Sequence, residues 1–402
     1  MNNQKRIAFH FIILLGIVSL FGDMTYEGAR SIIGPYLAVL GASAAVVGMV
    51  AGLGEFIGYA LRLVFGYLAD RTKAYWPLTI IGYALILSVP LLAIAGYWQI
   101  AVIFIILERM GKAVRSPARD AILSHATKQV GRGWGFGIHE ALDQIGAIAG
   151  PLIFTLVFLL GGNYRQGLTI LWIPAILLLF FLMIAKTKVP APEKLESVEG
   201  KTEKIIKGKK RLSKVFWLYA SFIFLSVVGF ANFPLISYHF KVKSVIPDVQ
   251  IPLFYVIAMA VDAVVALIIG KTYDRIGLKS LLAIPLLTFP IPIFAFSHSY
   301  AFVIIGVILW GAVMGIHETI MRAAIADLVP IEHRGFAYGI FNTLYGGAWF
   351  LAGLSMGLLY EISPAFIILF VIIMQLNSLP VFFLLKKEIE NGVGPGYEAK
   401  KD

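Results

Sequence analysis

The 402-residue sequence has no cysteine, and only 14% of its residues are formally charged. Without thiols there is no disulfide, no thiolate metal site and no cysteine nucleophile. With so little charge and 59% hydrophobic residues, the mean hydropathy of +0.84 lies outside the range of ordinary soluble domains. No phosphate loop of the form G-x-x-x-x-G-K-[ST] occurs, which argues against ATP-driven work by this chain alone. Long polar stretches are also scarce. One exists, KTKVPAPEKLESVEGKTEKIIKGKKRLSK from Lys186 to Lys214, and it is too poor in apolar residues to bury a core.

What is present is a recurring apolar segment. A bilayer crossing takes about 20 apolar residues, and short polar breaks beginning near Gly41 and ending at Glu361–Pro364 divide the chain into twelve such segments. The first, after Lys5-Arg6, is too long and too charged for a cleavable signal and is read as an uncleaved span. The expectation is an all-α membrane protein with an N-terminal six-helix bundle over 1–187 and a cytoplasmic Lys/Glu-rich linker over 188–212. A C-terminal six-helix bundle over 213–388 and a cytoplasmic tail over 389–402 complete it.

The net charge of +11 raises the possibility of a nucleic-acid partner, but the basic residues sit in particular loops and form no aromatic-basic stripe. Alternate breaks carry Arg71 and Lys73, Lys128 and Arg132, the Lys-rich segment, Lys271 with Arg275 and Lys279, and Arg334; the opposite breaks carry only Arg165, Lys241 and Lys243. That asymmetry places both termini in the cytoplasm and the chain in the cytoplasmic membrane. Tyr75-Trp76 and Tyr97-Trp98 are expected at the two interfaces.

The halves repeat one another. GYLADRTKAYWP after the second span is answered by GKTYDRIGLKSL after the eighth, and RGWGFGI in the fifth by RGFAYGI in the eleventh. Matches at corresponding ordinal positions indicate a duplicated six-helix unit.

Charges inside spans are the candidate functional groups. Asp23, Glu27 and Arg30 recur at i, i+4 and i+7, and Glu108, Lys112, Arg115 and Arg119 at i, i+4, i+7 and i+11, so each set forms one helix face. A charge facing lipid at mid-bilayer costs about 3 kcal/mol or more. These faces therefore line water or meet partners. The plain structural reading pairs Asp23 with Arg30 and Glu108 with Lys112. Further intramembrane charges lie on span 2 (Glu55, Arg62), span 5 (Glu140, Asp143, beside His139), span 8 (Asp262) and span 10 (Glu318, Arg322, beside His317). Spans 3, 6, 9 and 12 carry none, the pattern of helices surrounding a polar path with an outer helix at every third position; spans 7 and 11 also carry none, so the match to that pattern is partial.

HEALD at His139–Asp143 approaches H-E-x-x-H, two metal-binding histidines on one face, but Asp143 stands where the second histidine is needed. HETIM at His317 is further from it. No metal site and no cofactor is expected, and an intramembrane protease ranks below a hydrogen-bonded histidine in a polar interior.

The loop GYLADRTKAYW resembles the signature G-x-L-a-D-r-x-G-r-[KR] of the major facilitator superfamily of secondary transporters, through Gly66, Leu68, Asp70 and Arg71. Its second glycine is missing near Lys73-Ala74, whereas the later copy keeps Gly270, Asp274, Arg275 and Gly277. The fifth span resembles the superfamily's antiporter pattern G-x8-G-x3-G-P-x2-G-G through Gly137, Gly146, Gly150 and Pro151, with Phe154-Thr155 as the closing pair. The fourth carries Arg109-Met110-Gly111 where R-x-x-q-G is usual. The resemblance covers essentially the whole chain. It implies two six-helix bundles rocking about a central site, with spans 1, 4, 7 and 10 lining it and spans 2, 5, 8 and 11 between the bundles. Asp70, read as near a helix N-terminus and favoured by its dipole, and Arg71 would latch a cytoplasmic gate.

The resulting expectation is a non-enzymatic transporter working by alternating access as a monomer. Its partners would be the bilayer, a small solute and protons carried by Asp23, Glu27, Glu55, Asp143 and Glu318. Lys112, Arg115, Arg119 and Arg322 suit an anionic group, although Arg119 and Arg322, read as lying near the cytoplasmic ends, also fit a gate. Gly146 and Gly150 are first of all a small-residue packing face, and the glycine pattern leans toward export. A facilitative carrier for an organic anion and a non-transporting receptor are the alternatives.

Overall fold

The computed structural model describes residues 3–195, 212–329 and 333–391. Most of the expected linker and tail lies outside the described residues. Every regular element among the described residues is helical. In chain order they are α1 (Asn3–Val39), α2 (Ala44–Thr72), α3 (Tyr75–Ile94), α4 (Trp98–Val130), α5 (Arg132–Leu159), α6 (Tyr164–Lys188), α7 (Lys214–Val242), α8 (Ile251–Ile276), α9 (277–295), α10 (Tyr300–Leu328), α11 (Arg334–Ile362) and α12 (Pro364–Glu390). Among the described residues nine stretches are long and apolar enough to cross a membrane, one of them running through both α8 and α9. α4 and α11 complete twelve segments. α4 falls short on composition, since Glu108, Arg109, Lys112 and Arg115 crowd its middle. Side chains such as Ile94, Leu160 and Leu267 are 73%, 79% and 74% exposed. Apolar surface on that scale belongs against lipid, and the chain is a multi-pass membrane protein.

The chain forms two compact units, Met1–Ala42 with Ile57–Thr202 and Pro247–Val256, and Ser43–Phe56 with Glu203–Ile246 and Ile257–Asp402. Each unit thus takes in a short segment from the opposite half of the sequence: the first turns of α8 belong to the first unit and the first half of α2 to the second.

In the first unit α1 packs along α5 and α6, and α3 along α4. The α1–α5 approach is set by glycine. A Cβ at Gly146 would collide with the Leu20 carbonyl, and one at Gly150 with the Met24 carbonyl and the backbone of Gly28. This is small-residue contact, which in a membrane replaces the missing hydrophobic drive between helices. Gly137 differs from them, with nothing within 4 Å of its Cβ position among the described residues. Pro151 is buried within α5. Between α3 and α4, Gly82 and Gly111 face each other so closely that a Cβ at Gly82 would lie 2.5 Å from the Arg115 Cβ.

The second unit repeats the pattern, α7 packing on α11 and α12 and α9 on α10. α7 is not continuous: its helix stops at Val228, and a second helix begins at Phe233 with the Asn232 side chain accepting from the Leu235 N–H at 2.9 Å. Hydropathy read this as one span because the interruption, Gly229-Phe230-Ala231-Asn232, is itself mostly apolar.

Both copies of the signature loop end a helix. Gly66 faces Pro117 of α4 and Gly270 faces Thr319 of α10, while Asp70, Arg71, Asp274 and Arg275 are exposed. Asp70 occupies the last turn of α2 and not a helix N-terminus, so the dipole there opposes its charge. The missing glycine now has a location. Lys73 holds φ +55° where the second copy has Gly277 at φ +59°, each three residues after the aspartate. Trp76, expected at an interface, turns inward: it is 6% exposed and donates to the Val189 carbonyl at 3.1 Å. Tyr97 stays 70% exposed.

Candidate functional site

The first unit encloses the charges of α1, α4 and α5. α1 presents Asp23, Tyr26, Glu27 and Arg30 toward α4, where Glu108, Arg109 and Arg115 are each no more than 5% exposed. Glu108 pairs with Arg115 at 3.6 Å and with Arg109 at 3.5 Å. Glu27 pairs with Arg30 at 3.6 Å. The pairs seen are therefore i, i+7, i, i+1 and i, i+3. The stripes predict Asp23–Arg30 and Glu108–Lys112; the structure shows the pairs Glu108–Arg115, Glu108–Arg109 and Glu27–Arg30.

Tyr26 stands at the centre. Its hydroxyl accepts from Arg30 at 3.0 Å and from Arg109. Its ring faces the Lys112 ammonium at 4.3 Å and the Arg109 guanidinium at 4.6 Å from the centroid. A tyrosine is suited to this, offering a lone-pair acceptor and a negative ring face to cations in the same small volume. Tyr255, from the start of α8, donates to Glu27 Oε2 at 2.5 Å. The Arg115 guanidinium lies 5.0 Å from the Tyr83 centroid. The bare Gly82 and Gly111 backbones let α3 come close enough for that contact.

A second cluster continues along the same faces. Arg119 donates to the Ser19 hydroxyl at 3.3 Å and pairs with the more exposed Asp120 at 2.9 Å. Ser19 also lies within hydrogen-bonding reach of Asp143, and Asp23 lies among Asp143, Glu27, Lys112 and Arg119. His139 Nδ1 is 3.5 Å from Asp143 Oδ2, while His139 Nε2 and Asp143 Oδ1 are buried with no hydrogen-bond partner among the described residues. Arg119 precedes the end of α4 by eleven residues, about 16 Å along the axis, so it belongs to the helix interior.

Of the remaining candidates, Glu55, His317 and Glu318 belong to the second unit. His317 is 2% exposed and Glu318 is exposed. Arg322 lies on α10, six residues from its end, with its side chain outside the described set. Asp262 of α8 is buried beside Gly315 of α10. Tyr26, Tyr255, Tyr83 and Ser19 escaped the sequence reading, and Arg109 entered it only as a motif residue of the fourth span. Arg109 lies 100° off the stripe of its neighbours, and an uncharged tyrosine in an apolar helix gives no signal. The cost of burying Arg109 was nonetheless a usable clue.

The arrangement gathers charges of both signs along α1, α4 and α5, so it is suited to binding and releasing charged species. The comparisons agree. The Major Facilitator Superfamily model matches residues 13–353 and 246–401. An uncharacterised protein of Mycobacterium tuberculosis is 42% identical over 387 residues, covering 94% of this chain and 93% of that one. A transporter of the same superfamily type from Methanocaldococcus jannaschii is 30% identical over 374 residues, covering 90% and 92%. The crystal structure of the nucleoside transporter NupG shares the fold with a TM-score of 0.71 at 15% identity, covering 94% of this chain and 99% of that one. With its duplicated helical units and these matches along nearly its whole length, the chain belongs to the major facilitator superfamily and is a secondary transporter, not an enzyme.

Proposed function

We propose that this transporter moves a small solute bearing an anionic group together with protons, by alternating access in the cytoplasmic membrane, with both termini on the cytoplasmic side. The observation that carries the reading is the charge balance of the first unit. Five cationic side chains, Arg30, Arg109, Lys112, Arg115 and Arg119, are gathered with five carboxylates, Asp23, Glu27, Glu108, Asp120 and Asp143. An anion entering this volume meets guanidinium and ammonium groups already in place to hold it. Each proton taken up by Asp23 or Asp143 adds one positive charge and strengthens the anion's hold, so proton and cargo favour one another's binding. Co-transport in one direction follows from that sign. Exchange, toward which the Gly150-Pro151 pattern leans, needs the two to compete.

The first test is a thermal-shift screen of the purified protein against organic anions, cations and zwitterions. A ligand at one hundred times its Kd stabilises by about 2.7 kcal/mol. Anions and zwitterions are expected to raise Tm, more strongly at lower pH, and Lys112→Gln to weaken the effect. Stabilisation by cations alone, strongest at high pH, would replace co-transport with exchange.

A further inference from the structure

We infer that the second unit holds a binding box for a flat, uncharged heteroaromatic group, built around His317 and the interruption of α7. The inference rests on the transporter reading only in treating the occupant as part of the cargo. His317 is 2% exposed, and neither of its ring nitrogens has a hydrogen-bond partner among the described residues. A buried imidazole left unbonded at both positions is costly. A bound group that offers both a donor and an acceptor removes that cost, since a neutral imidazole supplies one of each.

The walls around it are aromatic. The Phe230 ring meets His317 edge-on at 5.2 Å, and Tyr345 does so at 6.2 Å. Phe230 is in turn edge-on to Trp349 at 5.5 Å and stacked on Trp310 at 5.7 Å. These residues come from three elements, α7, α10 and α11, all within one unit.

The backbone provides an independent observation. Phe230 lies in the non-helical stretch between Val228 and Phe233, and irregular backbone at membrane depth persists where it is buried in protein or lines a cavity. Asn232, at the end of that stretch, is 4% exposed and its Nδ2 is also without a hydrogen-bond partner. Its carbonyl oxygen already caps the second half of α7, which leaves the amide N–H groups to donate. The box thus joins ring faces to neutral hydrogen-bonding atoms, the recognition chemistry of a heteroaromatic ring.

Binding, not transport, is the readout, so this proposal and the co-transport reading fail separately. Full-length protein in nanodiscs is titrated with nicotinamide, benzimidazole and hypoxanthine as flat neutral probes, each offering a donor and an acceptor. Cyclohexanecarboxamide serves as the non-aromatic control and tetramethylammonium as the cationic one. Saturable quenching of tryptophan fluorescence is expected with at least one aromatic probe and with neither control. It should fall by about tenfold in affinity in His317→Phe, where the hydrogen bonds are lost and the ring remains, and be largely retained in His317→Gln, which keeps a donor and an acceptor. Failure of all three aromatic probes, equal affinity in His317→Phe, or competition by tetramethylammonium would overturn the proposal. If His317→Phe does not fold, loss of binding in His317→Gln decides against it.

Discussion

Glu108 is nearly sealed from solvent, at 2% exposure, and is paired to two arginines. Removing one partner of a buried pair leaves a charge without compensation, at a cost of about 3–5 kcal/mol. Glu108→Gln should therefore lower the thermal stability of the purified protein severely, whereas the Glu108→Gln/Arg115→Gln double variant should recover much of the loss. Additive losses would mean that the pair is not the unit of stability. A smaller effect of opposite sign is expected at the signature loops. A left-handed residue with a Cβ is disfavoured by about 1–2 kcal/mol, so Gly277→Ala at φ +59° should destabilise by that amount. Lys73→Gly at φ +55° should stabilise by up to about 1 kcal/mol, part of the gain being lost to the freer unfolded chain. Thermal melts of both variants check the pair of signs. Residues of this kind were only partly legible in the sequence. The absence of a glycine near Lys73 was visible, but its backbone angle was not. The charges of α4 were visible as a stripe, but their pairing depends on how closely Gly82 and Gly111 let α3 and α4 approach.

At the level of elements, the α1–α5 crossing is a demanding contact, because backbone meets backbone at Gly146 and Gly150. Gly150→Leu has no flexible side chain to push aside and should prevent the two helices from closing. The expected outcome is loss of a monodisperse peak on size-exclusion chromatography. Gly137→Ala, which meets nothing within 4 Å, should behave as the unchanged protein. The antiporter-like spacing singled out these glycines together, and only three-dimensional contact separates those that pack from the one that does not. Helix existence was legible nearly everywhere, since apolar length and polar breaks are composition-level signals. The interruption of α7 was not, because its residues are apolar and its cue is a helix cap by Asn232. Asp70 was placed at the wrong end of a helix for a related reason: a short loop gives no indication of which side of it the aspartate occupies until the last turn of α2 is seen to run to Thr72.

For the whole molecule, the duplication read from two pairs of matching segments reappears as a repeated packing order, α1 on α5 and α6 and α7 on α11 and α12. The compact units do not follow the sequence halves throughout, since short segments of α2 and α8 are exchanged. That exchange brings Tyr255 to Glu27 across 228 residues of sequence, a contact that no local pattern announces. The repeat does not extend to chemistry: the first unit gathers ionised groups, the second aromatic rings and an unbonded histidine. Charge in the first unit is the centre of the functional account, and its sign sets the direction of coupling. The measurement that tests it most directly is proton movement in proteoliposomes loaded with a pH-sensitive dye, read while an anionic solute found by the stability screen is added outside. The account predicts acidification of the lumen that accompanies solute entry and disappears in Asp23→Asn and in Asp143→Asn, with solute exchange at equal concentrations retained. Solute entry with no change in lumenal pH, or with alkalinisation, would contradict it.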